Sequence, residues 1–158
     1  MLAIFLIGLP GTGKSTFRNK HLGNFNVVSS DDYIESIAYA GQKTYDDVFD
    51  AFIKRATDAA RDDLDYLVDN EDNMVIDFTN LSEASRQKRL VRLTPGYQVL
   101  NIYFPLPEFG EWTRRLQSRP GKTIPQTVLD SMAQSLQLPK HYVSPDDFET
   151  ILYYFGQS

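Results

Sequence analysis

The sequence contains no cysteine and only two histidines among its 158 residues. Disulfides, thiolate metal sites and a cysteine nucleophile are therefore excluded, and the isolated His21 and His141 show no metal-ligand spacing, so we expect both to be structural. Long hydrophobic runs are also absent. The apolar stretch 2–7 is too short to span a bilayer and has no basic segment before it, so no membrane partner or secretory signal is expected. These absences favour a cytoplasmic protein.

Positive charge is scarce as well, with 16 Lys and Arg against 21 Asp and Glu and a net charge of −5. A negative total argues against a polyanionic partner. The charges are segregated, however, because acids crowd residues 46–72 and basic side chains crowd residues 86–122. If those basic side chains share one face, local attraction for phosphate groups persists despite the total. The acidic run itself is more simply explained as the solvated face of a helix.

The first apolar run leads directly into the segment 8–15, which reads GLPGTGKS and fits the pattern G-x-x-x-x-G-K-[ST] at every fixed position. Glycines let successive backbone N–H groups point at phosphate oxygens, and the following helix adds its positive N-terminal end. Lys14 is then expected to reach the β- and γ-phosphates, and the Ser15 hydroxyl to bind Mg²⁺. The segment therefore predicts a P-loop that binds a nucleoside triphosphate.

The length and a hydrophobic content of 42% predict one globular domain spanning residues 1–158. Strands are predicted at five apolar runs, namely 2–7, 25–28, 74–76, 97–104 and 150–155. Helical patterns separate the first four, and such alternation predicts a parallel sheet with right-handed crossovers. We therefore expect an α/β fold, a P-loop kinase-like three-layer sandwich with a five-stranded parallel sheet and a helical lid. Trp112 and the aromatic run 153–155 are expected in the core.

Polar residues follow the second and third predicted strands. Because the carboxyl ends of parallel strands meet at one edge of the sheet, these residues should gather beside the P-loop. Phosphoryl transfer to a hydroxyl needs a carboxylate that accepts its proton, a role that suits Asp31 or Asp32, although either could simply cap a helix. Asp77 is expected to act on Mg²⁺ or its water shell. Thr79 and Asn80 are expected to bind substrate or phosphate, or to form a turn.

Four basic residues precede or enter a Pro-Gly loop: Arg114, Arg115, Arg119 and Lys122. The segment of about 115–137 resembles a lid, hinged at the Pro-Gly pair, that could bring a guanidinium onto the phosphates after ATP binds. Arginine suits this task because its planar fork pairs bidentately with phosphate oxygens. Plain surface solvation is the alternative.

At these residues the chain resembles the phage-type polynucleotide 5′-hydroxyl kinases and their P-loop relatives. The matching segments follow one another along most of the chain: 8–16, 31–33, 76–81 and 115–132. The P-loop is specific for nucleoside triphosphates but not for this family. The Asp-Asp-Tyr block and the arginine–proline segment carry the narrower resemblance.

The resemblance implies a kinase that uses ATP and Mg²⁺ and phosphorylates a nucleic acid, most simply the 5′-OH end of DNA or RNA. It implies Asp31 as the general base and Arg119, with Arg115, as the lid arginines on the transferring phosphate. The residues expected to hold ATP are Gly8, Pro10, Gly11, Thr12, Gly13, Lys14, Ser15, Thr16 and Arg119. The residues expected on the substrate side are Asp32, Asp77, Thr79, Asn80 and Arg86, with Ser15 and Asp77 at the metal.

One position departs from the family, which has an arginine three residues after the catalytic aspartate to bind a phosphate of the acceptor. This chain has Ile34 there, and an isoleucine cannot pair with phosphate. Arg18, Arg86 or Arg89 could substitute. The alternative acceptors are a hydroxymethylated base within DNA and a small metabolite such as a nucleoside or sugar.

A further alternative is a nucleotide-dependent switch without kinase activity. A switch needs no acceptor base, so Asp31 and the lid arginines argue against it. The phosphatase domain that some members of the family carry is absent from the sequence, so removal of 3′-phosphates is not expected.

Overall fold

A computed structural model describes residues 1–155, apart from the side chains of Glu149, Leu152 and Phe155. The strands are β1 (Leu2–Ile7), β2 (Asn26–Val28), β3 (Met74–Asp77) and β4 (Gln98–Tyr103). The helices are α1 (Lys14–His21), α2 (Ser30–Ala40), α3 (Tyr45–Asp69), α4 (Glu83–Leu90), α5 (Phe109–Gln117), α6 (Gln126–Gln134) and α7 (Phe148–Phe155), with a 3-10 turn at Pro145–Asp147. No helix in this part of the chain is both long enough and apolar enough to cross a membrane.

All strands of the sheet are parallel, in the order β2-β3-β1-β4. Successive side chains of a strand point to opposite faces. On β1, Ala3, Phe5 and Ile7 therefore join one core with α3, while Ile4 and Leu6 join a second core with α1 and α7. Both faces are covered by helices, which explains why β1 is a continuous apolar run. The three-layer arrangement agrees with the prediction.

The described residues form a sheet of four strands, so the prediction of five is wrong. The segment 150–155 has the β-branched and aromatic content of a strand, yet it forms the helix α7. Phe148 and Ile151, three residues apart, share one helical face and pack on the core under β4. A single bridge from Val143 to Ile102 occupies the edge of β4 where a fifth strand would pair.

The predictions for Trp112 and for the aromatic run 153–155 have different outcomes. Trp112 is buried, as predicted. Tyr153 and Tyr154 are 63% and 71% exposed, so their predicted place in the core is wrong, and the side chain of Phe155 lies outside the description. Helical periodicity explains the difference, since α7 turns only one of its faces toward the sheet.

Helix starts are set by local polar side chains. Ser29 accepts a hydrogen bond from the backbone N–H of Asp32 and so caps α2. The spacing of Thr44 and Asp47 in the sequence predicts a capping box, and the two residues form one at the start of α3. Because α2 follows β2 directly, its first turn lies at the carboxyl edge of the sheet, next to the P-loop.

Candidate active site

A cavity of about 1310 Å³ lies at the carboxyl edge of the sheet. Its walls are the P-loop, the first turns of α2 and α3, the end of β3, α5 and the segment 118–132. The sequence elements predicted to gather here do so, because each follows a strand of one parallel sheet. The cavity is therefore the candidate active site.

The P-loop is shaped by glycines in the left-handed backbone region. Gly11 has φ of 78° and Gly13 has φ of 98°, values that side chains disfavour. A Cβ on Gly11 would also lie 3.1 Å from Leu116 of α5. Within the loop, the Thr12 hydroxyl donates to the carbonyl of Leu9 at 2.7 Å. The backbone thereby takes the curled form that directs N–H groups toward a phosphate.

Lys14 lies over the P-loop and donates hydrogen bonds to the carbonyls of Gly8 at 2.7 Å and Leu9 at 2.9 Å. Burial lowers the pKa of Lys14 to about 8, although Asp77 and Asp31 oppose the shift. A buried ammonium with backbone carbonyls as partners has unsatisfied charge. Triphosphate oxygens would supply that charge, which is the expected role of this residue.

A hydrogen bond from a side chain of α5 holds the P-loop in place. The indole Nε1 of Trp112 donates to the carbonyl of Pro10 at 2.8 Å, and the side chain is 8% exposed. Leu9 packs beside it in a small core with Leu81 and Leu129. The P-loop is thus held on the side opposite the sheet by a helix more than a hundred residues away in sequence.

Asp31, the predicted general base, projects from the first turn of α2 and has one donor on each oxygen. The Tyr45 hydroxyl donates to Oδ1 at 2.7 Å, and the Lys122 ammonium donates to Oδ2 at 2.9 Å. Burial raises the pKa of Asp31, but the charge of Lys122 and these two hydrogen bonds outweigh it, so the pKa lies below its usual value. The carboxyl is therefore ionised at neutral pH.

Asp32 and Asp77 share a different partner. The Arg18 guanidinium from α1 lies 2.7 Å from Asp77 Oδ2 and 3.2 Å from Asp32 Oδ1. Burial raises the pKa of Asp77, while Arg18 and Lys14 oppose the shift. Of the two neighbouring aspartates, Asp32 is therefore neutralised by an arginine of the P-loop helix, whereas Asp31 faces the lid.

The residues expected at Mg²⁺ fit that ion by their chemistry. Ser15 presents a hydroxyl from α1 and Asp77 a carboxylate from the end of β3, and both line the cavity. Mg²⁺ prefers oxygen ligands and is commonly bound through one or two protein groups together with substrate phosphates. This donor set suits such an arrangement.

Two predicted substrate residues lie outside the cavity. Asn80 is 1% exposed, and its Nδ2 donates to the carbonyls of Leu6 and Ile76 at 2.8 and 3.0 Å. Its φ of 50° turns the chain after β3, so the turn-forming alternative applies. Arg86 is 4% exposed and donates to the carbonyls of Asn80, Leu81 and Gln137. Both side chains are committed to holding loops together, which corrects the expectation that they contact substrate.

The lid arginines line the cavity from α5 and the loop after it. Arg115 donates to Glu111 at 2.8 Å, and its guanidinium lies near Gly13. Arg119 lies farther along the same wall. Among the side chains that the structure describes, none forms an ion pair with Arg119, which lines the cavity. These positions agree with a role beside the phosphates.

The wall formed by α2 and α3 differs in character from the P-loop side. Its acidic side chains are Asp31, Asp32, Glu35, Asp46 and Asp50, and its apolar ones are Phe49 and Ile53. The basic segment 86–122 does not share one face: Arg86 is interior, Arg92 pairs with Asp65 of α3, and the lid arginines lie on the phosphate side. Ile34 is buried between α2 and α3. This wall is therefore acidic and apolar.

Sequence reasoning missed three connections within the site. The sequence suggests Arg18 only as a substitute for the missing arginine and Trp112 only as core, and nothing in it marks the Tyr45 hydroxyl as a partner of Asp31. Each joins elements far apart in sequence, so no local pattern marks it. The one sequence signal for Arg18 is its own position, four residues after the P-loop lysine.

Comparison with known proteins assigns the fold. The family model described as an AAA domain (AAA_33) matches residues 4–139. A candidate kinase from Chloroflexus aurantiacus superposes with a TM-score of 0.70 at 14% identity, over 99% of this chain and 97% of that chain. A sugar kinase from a Janibacter species superposes with a TM-score of 0.62 at 16% identity, over 99% and 95%. The chain has the P-loop kinase fold.

A third solved structure is more similar in sequence. It belongs to the Pnkp1/Rnl/Hen1 RNA repair complex, and it matches at 28% identity with a TM-score of 0.64. The match covers 86% of this chain but 44% of that one. The similarity therefore spans less than half of that chain.

Proposed function

Because the chain belongs to the AAA domain family (AAA_33) and has the P-loop kinase fold, we propose that it is a kinase that transfers the γ-phosphoryl group of ATP to a hydroxyl group, with Mg²⁺ as cofactor. The observation that carries this proposal is the position of Asp31 across one cavity from Lys14 and Arg119. An ionised carboxylate, a phosphate-binding lysine and a lid arginine are the groups that phosphoryl transfer to a hydroxyl requires.

In the proposed reaction, the P-loop backbone and Lys14 bind the phosphates of ATP. Ser15 and Asp77 would hold Mg²⁺, which would supply positive charge against the phosphate oxygens. Asp31 accepts the proton of the acceptor hydroxyl. The oxygen of that hydroxyl forms a bond to the γ-phosphorus while the bond from the γ-phosphorus to the β–γ bridging oxygen breaks, and ADP leaves. Arg119, supported by Arg115, stabilises the charge on the group in transfer.

A 5′-OH end of DNA or RNA is the first candidate acceptor. The segments shared with polynucleotide kinases support it, as does the 28% identity to the Pnkp1 complex, whose name refers to RNA repair. A hydroxymethylated base within DNA would use the same chemistry at a different hydroxyl.

A small hydroxyl compound such as a nucleoside or sugar is the second candidate. The apolar side chains of Phe49 and Ile53 on the wall of α2 and α3 favour it. The carboxylates of Glu35 and Asp50 on the same wall would repel the phosphodiesters of a nucleic acid. Arg18 is already paired with Asp32 and Asp77, and Arg86 is interior, so neither is available for a phosphate of the acceptor.

Transfer of labelled γ-phosphate from ATP with Mg²⁺ tests the proposal. The acceptors are 5′-OH DNA and RNA oligonucleotides, 5′-phosphorylated DNA with hydroxymethylated bases, and nucleosides and sugars. Label on an oligonucleotide end supports the first candidate, and label only on small compounds supports the second. Lys14→Ala should abolish transfer in every case. Bound ATP with no label on any acceptor would contradict the kinase and support a nucleotide-dependent switch.

A further inference from the structure

The loop between α5 and α6, residues 118–125, is here called the lid loop, and it is seated on the start of α3. The carbonyl of Gly121 accepts a hydrogen bond from the Asp46 N–H at 2.8 Å. The Thr123 N–H donates to both carboxylate oxygens of Asp46, at 3.0 and 2.9 Å. The fit is close: a Cβ on Gly121 would lie 2.5 Å from the Cβ of Thr44.

This docking delivers Lys122 to Asp31. The Lys122 side chain is 11% exposed, and its ammonium lies 2.9 Å from Asp31 Oδ2 and 4.2 Å from the centre of the Tyr45 ring. The hydroxyl of Tyr45 donates to the other oxygen, Oδ1. Asp31 projects from α2 and is held by one residue of α3 and one of the lid loop.

We propose that Tyr45 and Lys122 are positioning residues for Asp31, and that the general base is complete only when the lid loop is docked on α3. The inference rests on the proposed kinase function. A carboxylate has about four lone-pair sites, so two donors leave room for the proton of the acceptor hydroxyl. The two donors fix the orientation of the carboxylate, and the charge of Lys122 keeps it ionised. The position of the lid loop therefore determines whether the Asp31 carboxylate is oriented and ionised for proton transfer.

The charges around Asp31 make the role of Lys122 measurable. The groups that act on it are Lys14 from the P-loop, Tyr45 from α3, and Arg119 and Lys122 from the lid loop. Burial raises the pKa of Asp31, and the charge of Lys122 is the largest effect that lowers it. Removal of Lys122 should therefore raise the pKa of the base, so that activity is lost at a higher pH on acidification.

The test compares Lys122→Met, Lys122→Arg and Tyr45→Phe with the exposed control Lys140→Met. Lys122→Met should lower kcat by about 10- to 100-fold, leave the KM for ATP within about twofold, and move the acid limb of kcat/KM to higher pH. Lys122→Arg should restore most of kcat, and Lys140→Met should match the wild type. A wild-type acid limb in Lys122→Met would overturn the inference.

Docking is tested separately from the lysine. Gly121→Ala keeps Lys122 but must displace the lid loop from Thr44, because its φ of 74° and the close contact both disfavour a Cβ. It should reproduce the loss of kcat in Lys122→Met. Gly23→Ala is the matched control, since a Cβ there meets no atom within 4 Å. Wild-type kcat in Gly121→Ala, with a wild-type melting temperature, would overturn the docking requirement.

A readout without turnover distinguishes failure of this inference from failure of the kinase proposal. The titration of the Asp31 carboxyl, followed by carbon-13 NMR in the wild type and in Lys122→Met, reports its pKa directly. An inactive wild type would defeat the proposed function alone. An Asp31 pKa that does not rise in Lys122→Met would defeat the positioning role whatever the activity.

Discussion

Asp31 and Asp32 are adjacent in sequence but have opposite surroundings. Asp31 is turned toward Lys122 and Tyr45 at the lid loop, whereas Asp32 is paired with Arg18 beside Asp77. Arg18 ties Asp32 to Asp77 beside the P-loop helix, whereas Asp31 lies where the lid loop meets the cavity, which is why Asp31 is the proposed base.

Asp31→Asn should therefore reduce kcat by roughly 10²- to 10⁴-fold, the range typical of a lost general base, while ATP binding stays near the wild-type value. Asp32→Asn should have a smaller effect on kcat. Steady-state kinetics and calorimetric titration with ATP measure the two quantities. A larger loss of kcat in Asp32→Asn would show that the wrong carboxylate has been chosen.

The charge of Lys14 should govern how nucleotide binding depends on pH. Burial lowers its pKa to about 8, so the side chain loses its proton as the pH rises through that value. ATP should bind more weakly at pH 9 than at pH 7, since a neutral amine attracts phosphate poorly. Calorimetric titrations at pH 7, 8 and 9 measure this. Lys14→Met should bind weakly with little change over the range, and equal changes in both proteins would assign the dependence to another group.

The sequence predicts which residues form the site where a motif specifies them. It does not predict which hydrogen-bond partners the other polar side chains have. The P-loop glycines follow from the pattern at residues 8–15. Arg86 and Asn80 have the chemistry of substrate ligands, but whether such a side chain faces a cavity or a loop carbonyl is decided by packing. No local feature of the sequence distinguishes the two cases.

At the scale of elements, α5 acts as a clamp on the P-loop through the hydrogen bond from Trp112 to Pro10. Trp112→Phe keeps most of the apolar contact and removes the donor. We expect the free energy of unfolding to fall by about 1–2 kcal/mol, because a partly buried carbonyl loses its partner. Urea denaturation measures the loss. Phe109→Ala, on the same helix but 72% exposed, is the control and should change stability by less than about 0.5 kcal/mol.

The same substitution tests whether the clamp supports binding. A P-loop that is no longer bonded to residue 112 must lose more conformational freedom when it closes around phosphates, so Trp112→Phe should bind ATP more weakly. Wild-type affinity in a folded Trp112→Phe protein would show that the sheet alone preorganises the loop.

Element predictions succeeded where both faces of a strand are buried or a cap is explicit, as in β1 and at Thr44. They failed for α7. A run of six apolar and β-branched residues suits a strand or a helix equally, and tertiary packing decides between them. Phe148, just before the run, is the anchor that favours the helix, and its contacts with Phe17 are visible only in three dimensions.

For the whole molecule, Phe148 connects the C-terminal helix to the sheet. It is 1% exposed and lies edge-on to Phe17 with 4.9 Å between ring centroids. Phe148→Ala should reduce the free energy of unfolding by about 3–5 kcal/mol, because it leaves a cavity beneath the β4 side of the sheet. Tyr154→Ala on the same helix is 71% exposed and should cost less than about 0.5 kcal/mol. Urea denaturation of both variants measures the contrast, and equal losses would contradict the packing described for α7.

The placement of the site in the molecule was predictable from topology. Parallel strands bring the P-loop, the first turn of α2 and the end of β3 to one edge, and the lid follows in sequence. The distribution of charge across that site was not predictable. Basic residues from the same stretch of sequence lie in different places: Arg86 is interior, Arg92 pairs with Asp65 of α3, and the lid arginines line the cavity.

The clamp at Pro10 has one more consequence, because Trp112 is the only tryptophan of the chain. Its indole is shielded from water and bonded to the loop that would receive the triphosphate. Under excitation selective for tryptophan, the emission therefore comes from one indole on α5 that is bonded to the P-loop, and a shift of that loop should change the emission without any attached dye. Binding of ATP at the P-loop should then be visible in the native emission of Trp112.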